Sequence, residues 1–350
     1  MKKAIKILLI LFLLFIIATT CASVLLFSQF SPVSKSKDAQ AVRFDVPYGT
    51  SAYQVSIDLS EAGLIKNQKL FYFLLLRPKY LKMVYKNYDF PQNLDFKSGM
   101  YKISPNMNYA DIILLLASGK SEYVKMSIAE GLTISKIGKL LEENEICSQK
   151  DFIDACKNQD LVDEYNIPFN SLEGYLFPDT YYFDVNMDAK KVARKMVNNF
   201  FEKIKEIDEL KDITAEKLNE IVILASIVER EYKLKEEAPL IASVFSNRLK
   251  INMGLQSCAT IVYIITEING LSHPERILNS DLEIDSPYNT YKWAGLTPGP
   301  ISNPGLVALK ATANPAKTNY YFFQVIDADK GKHVFKETFS EHKQIHLISK

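Results

Sequence analysis

Glu229 is the residue best placed to do chemistry in this 350-residue chain. It closes an unbroken run of apolar or small residues, Ile221 to Val228. Such a run predicts a helix covered on all sides rather than one lying on a surface. A carboxylate at its end is partly desolvated, which penalises the charged form and raises its pKa towards neutrality. An acid that keeps its proton near pH 7 can donate it to a leaving-group oxygen. Taken alone, the residue also fits a plainer role, marking where a buried helix meets water, because most carboxylates stay solvated or paired.

Three loops could supply the rest of a site. The first is Leu172-Glu173-Gly174-Tyr175-Leu176-Phe177-Pro178-Asp179-Thr180-Tyr181, and the second is Ser286-Pro287-Tyr288-Asn289-Thr290-Tyr291. The third runs from Gly295 to Gly305, where alternating Pro and Gly shape a long loop without regular hydrogen bonding. Aromatic faces suit sugar rings, and Asn, Thr and Ser suit their hydroxyl and acetamido groups. The same composition also builds structural corners. Glu173, Glu231, Asp281, Glu283 and Asp285 are available for a second acidic role. Glu173 stands out because it sits in a motif loop, where it contacts substrate or orients the loop. Glu231 lies only two positions from Glu229, so on a continued helix it faces elsewhere and reads as a surface acid.

No metal or cofactor is expected. The histidines at 273, 333, 342 and 346 form no zinc signature, and the cysteines have no paired ligand spacing. A net charge of +1 gives no electrostatic case for nucleic acid.

The elements that must hold these residues begin with an anchor. Lys2, Lys3 and Lys6 precede a stretch without charge until Lys35, its apolar centre running from Ile7 to Phe27. A bilayer core takes roughly 20 residues, and positive charge on the short N-terminal side places that end in the cytoplasm. The reading is a cytoplasmic tail over 1–6, an uncleaved transmembrane anchor over 7–30 and a polar spacer over 31–41. Cleavage near Thr20-Cys21-Ala22, or lipid attachment at Cys21, fits the pattern less well. Everything after the anchor then lies outside the cytoplasm. Three cysteines there leave at least one free thiol, and Cys147 and Cys156 could bridge, although nothing requires it.

The remaining residues, roughly 315, suffice for two domains. Val42-Arg43-Phe44-Asp45-Val46 alternates as a strand, Pro47-Tyr48-Gly49-Thr50-Ser51 makes a turn, and Val55, Leu59 and Ala62 recur at helical spacing. The design returns 82 residues on: Gly49 aligns with Gly131, Val55 with Ile137, Leu59 with Leu141 and Leu64 with Ile146. From about 158 the pattern changes to helices over 188–210, 214–233 and 238–250, and Tyr320–Val325 is a strand candidate. The fold class is α+β, with regions 42–157 and 158–350.

Several motifs occur in one order: Glu130-Gly131-Leu132-Thr133, the Glu173–Tyr181 loop, Ala225–Glu231, Val244–Leu249, Ser286–Tyr291, Gly295–Ile301 and Gly331–Phe335. In this order the chain resembles the endolytic murein transglycosylases (MltG/YceG-like), over nearly everything after the anchor. The resemblance implies a small LysM-like peptidoglycan-binding lobe over 42–157 and a larger mixed catalytic lobe over 158–350. It implies cleavage of MurNAc–GlcNAc bonds within glycan strands, leaving 1,6-anhydro ends and limiting nascent strand length. Glu229 matches the catalytic glutamate. Glu173, Asn247, Arg248, Gln256, Ser257, Tyr288, Asn289 and Tyr291 are the expected sugar and peptide contacts. Peptidoglycan, the cell membrane and peptidoglycan synthases are the expected partners. A muramidase-type hydrolase and a non-catalytic glycan-binding scaffold are the alternatives. The chain departs from the family where Cys258-Ala259-Thr260 stands for a common Asp-Pro-Thr and where Thr297 replaces a frequent Pro.

Overall fold

The computed structural model describes residues 2–344 other than 37, 48, 92, 122 and 328, and none of the side chains at 2–11, 22, 23 and 26. Tyr48, in the expected turn, His346 and the expected tail's lysine side chains therefore lie outside the described residues.

The chain divides into two compact units, Met1–Tyr123 and Val124–Lys350. In the first, α1 (Lys2–Ser28) is followed by β1 (Val42–Val46), α2 (Ala52–Glu61), α3 (Gln68–Leu76), α4 (Pro78–Val84), β2 (Gly99–Ile103) and α5 (Tyr109–Ser118). The described side chains of α1, at 12–21, 24, 25, 27 and 28, are exposed. Among the described residues no helix is long and apolar enough to cross a membrane. Strands β1 and β2 pair antiparallel, with Val42 opposite Ile103 and Val46 opposite Gly99. Their inward residues Phe44, Val46, Tyr101 and Ile103 pack with Val55, Leu59, Phe71 and Ile113 into one core. The alternation in β1 buries Phe44 and Val46, as the sequence predicts.

The second unit contains β3 (Tyr123–Ser127), α6 (Ile134–Glu143), α7 (Gln149–Cys156), α8 (Gln159–Glu164), β4 (Thr180–Asp184), α9 (Ala189–Ile204), α10 (Ala215–Val228), α11 (Ala238–Lys250), α12 (Cys258–Tyr263), α13 (Leu306–Ala313), β5 (Phe322–Asp327), β6 (Lys332–Lys336) and α14 (Phe339–Lys343). Strand β3 pairs with β4, and β5 with β6 antiparallel. The unit is built around α10, whose residues from Val222 to Val228 are all buried.

The internal repeat survives in detail. Gly49 and Gly131 both have positive φ, +81° and +74°, which the glycine side of the turn allows without a Cβ penalty. Ser51 and Thr133 each cap a ten-residue helix. Gly63 and Glu145 then both adopt left-handed backbone, and Leu64 and Ile146 each donate to the carbonyl five residues back at 2.9 Å. Each copy is thus a strand, helices and a returning strand.

The expected boundary at 157/158 is corrected to 123/124. Ile128, Ile137, Leu141 and Ile146 of the second copy belong to the same core as Val222 and Ala225 of α10. Its apolar face is covered by the helical unit, and the strand–helix pattern alone does not show that. All four cysteines are free thiols, so Cys147 and Cys156 form no bridge. Burial pushes the Cys147 thiol up to about 11 and that of Cys156 well above its ordinary value.

Candidate active site

Thr214 caps the start of α10, and the helix ends at Val228 with Glu229 as its C-cap. The carboxyl of Glu229 accepts the Gly305 N–H at 2.9 Å and the Tyr232 hydroxyl at 3.1 and 3.3 Å. Burial pushes its pKa up to about 7, against the lowering effect of the Gly305 N–H. The nearby Glu130 charge adds to the rise, while Tyr232 and Arg230 oppose it. The negative end of the α10 dipole also disfavours a carboxylate there. The group is therefore poised between acid and base at neutral pH, the requirement for donating a proton and then taking one back.

Two loops clamp this position. The 295–305 loop is fastened to the last turn of α10 through Ser226. Its hydroxyl accepts the Ile301 N–H at 3.0 Å, and its carbonyl, left over at the helix end, accepts the Ser302 hydroxyl at 3.0 Å. The turn between β3 and α6 comes in from the other side. Gly131 donates to the Asn303 carbonyl at 2.9 Å, and its own carbonyl accepts from Arg230 Nη1 at 3.0 Å. A Cβ at Gly131 would lie 3.5 Å from Glu229 Cγ, so the turn's backbone packs directly on the acid. Arg230, Ala259, Tyr263 and Ile301 line one small crevice beside it.

Five of the eight residues expected to touch sugar or peptide are buried and bonded within the protein itself. Glu173 is buried and accepts the Ile134 N–H, at the start of α6, and Asn303 Nδ2 at 2.7 Å. Burial pushes its pKa up to about 8. Asn247 donates to the Thr318 and Tyr320 carbonyls, and Arg248 to those of Tyr321 and Leu255. Asn289 donates to the Leu282 and Ile284 carbonyls and is fully buried. All four brace the fold in this way, because buried polar groups must find partners, and theirs are backbone groups apart from the Asn303 amide on Glu173. Ser257 is also buried, capping α12 and donating its hydroxyl to Glu231. Gln256 remains exposed, on left-handed backbone (φ 49°), and Tyr288 and Tyr291 are half-buried. The Tyr288 ring lies 5.2 Å from that of Tyr263, and Tyr291 Oη meets Cys258 Sγ at 3.1 Å.

Glu231 requires a second correction. The helical pattern expected to 233 stops at Val228, and Arg230 and Glu231 donate back to Ile227 and Val228 across tightened turns. Glu231 is thereby turned inward to Ser257, and burial raises its pKa. It is not a surface acid. Its neighbour Glu237 holds His333 through the imidazole Nδ1 at 2.7 Å and the backbone N–H.

A profile of the YceG-like family matches residues 44–346. The chain belongs to the YceG-like family. A relative from Bacillus subtilis (strain 168), called an endolytic murein transglycosylase, is 33% identical over 336 residues, covering 91% of this chain and 87% of that protein. A relative of the same name from Streptococcus pneumoniae (strain D39) is 28% identical over 86% of this chain, which spans 57% of its length. A crystal structure of a YceG-like protein from Listeria monocytogenes superposes with a TM-score of 0.56 and 29% identity, covering 88% of this chain and 99% of that one.

In this YceG-like chain, sequence reasoning reached Glu229 but passed over Tyr232, Gly305, Asn303 and Arg230 as individual residues. Tyr232 was open to notice, lying three positions beyond the acid, where it shares the acid's side of the turn. Asn303 and Gly305 belong to a recognised loop, yet only the fold shows which of its residues reach Glu229.

Proposed function

We propose that the chain is a membrane-anchored endolytic transglycosylase that cuts peptidoglycan strands with Glu229 as its single acid and base. The observation that carries this is the half-buried Glu229 carboxyl, near neutral in pKa and held by Gly305 and Tyr232. Protonated Glu229 donates to the glycosidic oxygen between MurNAc and GlcNAc as oxocarbenium character develops. The carboxylate then removes the proton from the C6 hydroxyl of MurNAc, which attacks C1 and closes a 1,6-anhydro ring. Atoms balance without water, and the Gly305 N–H and Tyr232 hydroxyl stabilise the carboxylate between the two transfers. The names of the bacterial relatives support the same reaction class.

Tyr288, whose ring lies 5.2 Å from that of the crevice residue Tyr263, is a proposed sugar contact, with the exposed Gln256 and the half-buried Tyr291. The first unit is the proposed LysM-like glycan-binding lobe, supported by its strand–helices–strand order. The proposal places α1 in the cytoplasmic membrane, with the rest of the first unit and the whole of the second outside the cytoplasm. A 27-residue helix is about 40 Å long at 1.5 Å per residue, and its described apolar side chains are exposed. Anchoring near peptidoglycan synthases would let the enzyme limit the length of new strands.

The test is digestion of uncrosslinked glycan strands by the full chain, with mass spectrometry of the new ends. Anhydro ends in internal positions, absent with Glu229→Gln, are expected. Reducing ends would instead identify a muramidase, and intact strands with retained binding a scaffold.

A further inference from the structure

The second carboxylate of the site is none of the five acids weighed for that role from the sequence, but Glu130, which opens the Glu130–Thr133 motif. Glu130 sits on the turn between β3 and α6, one residue before the glycine whose backbone packs on Glu229. A Cβ on Gly305 would collide with the Glu130 carboxylate, while the N–H of that same Gly305 bonds to Glu229 Oε2. The two carboxyl groups therefore flank one peptide unit. With ordinary bond lengths, their oxygens are no more than about 8 Å apart. Glu130 is exposed, and among the described residues its carboxylate has no hydrogen-bond or ion-pair partner. An acid in that state has a charge free to act on its surroundings.

The internal repeat offers an independent argument. The glycine and the capping hydroxyl recur in both copies, Gly49 with Gly131 and Ser51 with Thr133, because the turn and helix start require them. Position 130 aligns with Tyr48, which is not an acid. The fold thus has no need of a carboxylate there, and it appears in the copy whose turn touches Glu229.

We propose that Glu130 is a positioning residue of the reaction: its carboxylate, held against Gly305, keeps the proton on Glu229 until a glycosidic oxygen arrives and then faces the positive charge that develops on the sugar. The idea rests on the function proposed above. Among the described residues, the charged and titratable groups facing Glu229 are Glu130 from the turn, with Arg230 and Tyr232 from its own segment. The loop before α13 brings the Gly305 peptide. Arg230 and Tyr232 favour the ionised form, and among these described groups Glu130 opposes them.

The experiment compares the full chain with Glu130→Gln. Activity needs Glu229 protonated, so kcat/KM falls on the alkaline side as that proton is lost. Removing the Glu130 charge lowers the Glu229 pKa and moves this limb down by about 0.5–1 pH unit at low salt. A fall of about 10-fold in kcat with little change in KM is also expected. Carbon-13 NMR titration of the Glu229 carboxyl in the same two proteins must move in the same direction, and needs no turnover. If the glutamine variant misfolds, Glu130→Ala takes its place, since truncating an exposed side chain leaves no buried group unpaired. An unmoved titration and an unmoved limb would overturn the proposal, leaving Glu130 as packing against Gly305. If the wild type cut no glycan, the proposed function would fail while the NMR titration still decided the role of Glu130.

Discussion

The side chain of Asn303 is held by four partners at the point where both clamping loops meet. Its Oδ1 accepts the N–H groups of Gly174 and Leu176, each at 2.9 Å. Its Nδ2 donates to the Leu132 carbonyl at 3.0 Å and to Glu173 at 2.7 Å. In Asn303→Ala, Leu132 keeps the Asn303 backbone N–H and Glu173 keeps that of Ile134. The buried Leu176 N–H keeps no partner among the described residues, while that of Gly174 keeps only the Glu173 carboxyl beside it. Leaving a buried donor unsatisfied costs about 1–3 kcal/mol, so this loss, the weakened Gly174 bond and the vacated space together give about 2–4 kcal/mol. For a unit of this size that lowers Tm by about 4–16 °C, read by near-ultraviolet circular dichroism. Activity should fall further than stability, because the Asn303 carbonyl holds Gly131 and the same loop presents Gly305 to Glu229. Asn303→Asp keeps both accepted bonds but opposes Glu173 with a second acid, so it should recover stability as pH falls. A loss below about 1 kcal/mol in Asn303→Ala would refute the reasoning, since it would mean that these N–H groups find other partners.

Two further outcomes follow from the same geometry. Tyr232→Phe removes a donor that favours ionised Glu229, so the alkaline limb of kcat against pH should move up and kcat fall about 10-fold; a limb moving down would contradict the assignment. Glu173 and Glu229 are held at about 8 and about 7, above the ordinary 4.5, so the folded protein binds more protons than the unfolded chain across that window. Stability should therefore decline as pH rises from about 4.5 to 8, and Glu173→Gln should flatten that decline in urea unfolding at pH 5 and pH 8.

What the sequence made legible was what depends on local pattern. The apolar run led to α10 and to the acid at its end, and the 82-residue repeat led to two copies of one turn and helix. The unit boundary did not follow, because Ile137 and Leu141 would read as a core-facing stripe whichever core covered them. The end of α10 was also misplaced: a polar segment continues helical spacing as well as it leaves it, and only the turn back to Ile227 and Val228 decides. Polar residues were the hardest to assign. Asn247 and Arg248 have the chemistry of sugar contacts, yet apart from Leu255 their partners are carbonyls at 318, 320 and 321, some seventy positions away. A donor's type is written in the sequence, and its partner is settled by the fold.

The most direct test of the central claim is digestion of glycan strands by the full chain in water enriched in oxygen-18. If Glu229 passes the proton between the glycosidic oxygen and the sugar's own C6 hydroxyl, new ends carry no heavy oxygen and Glu229→Gln makes none. Heavy oxygen at C1 of the new ends, or undiminished cleavage by Glu229→Gln, would contradict it.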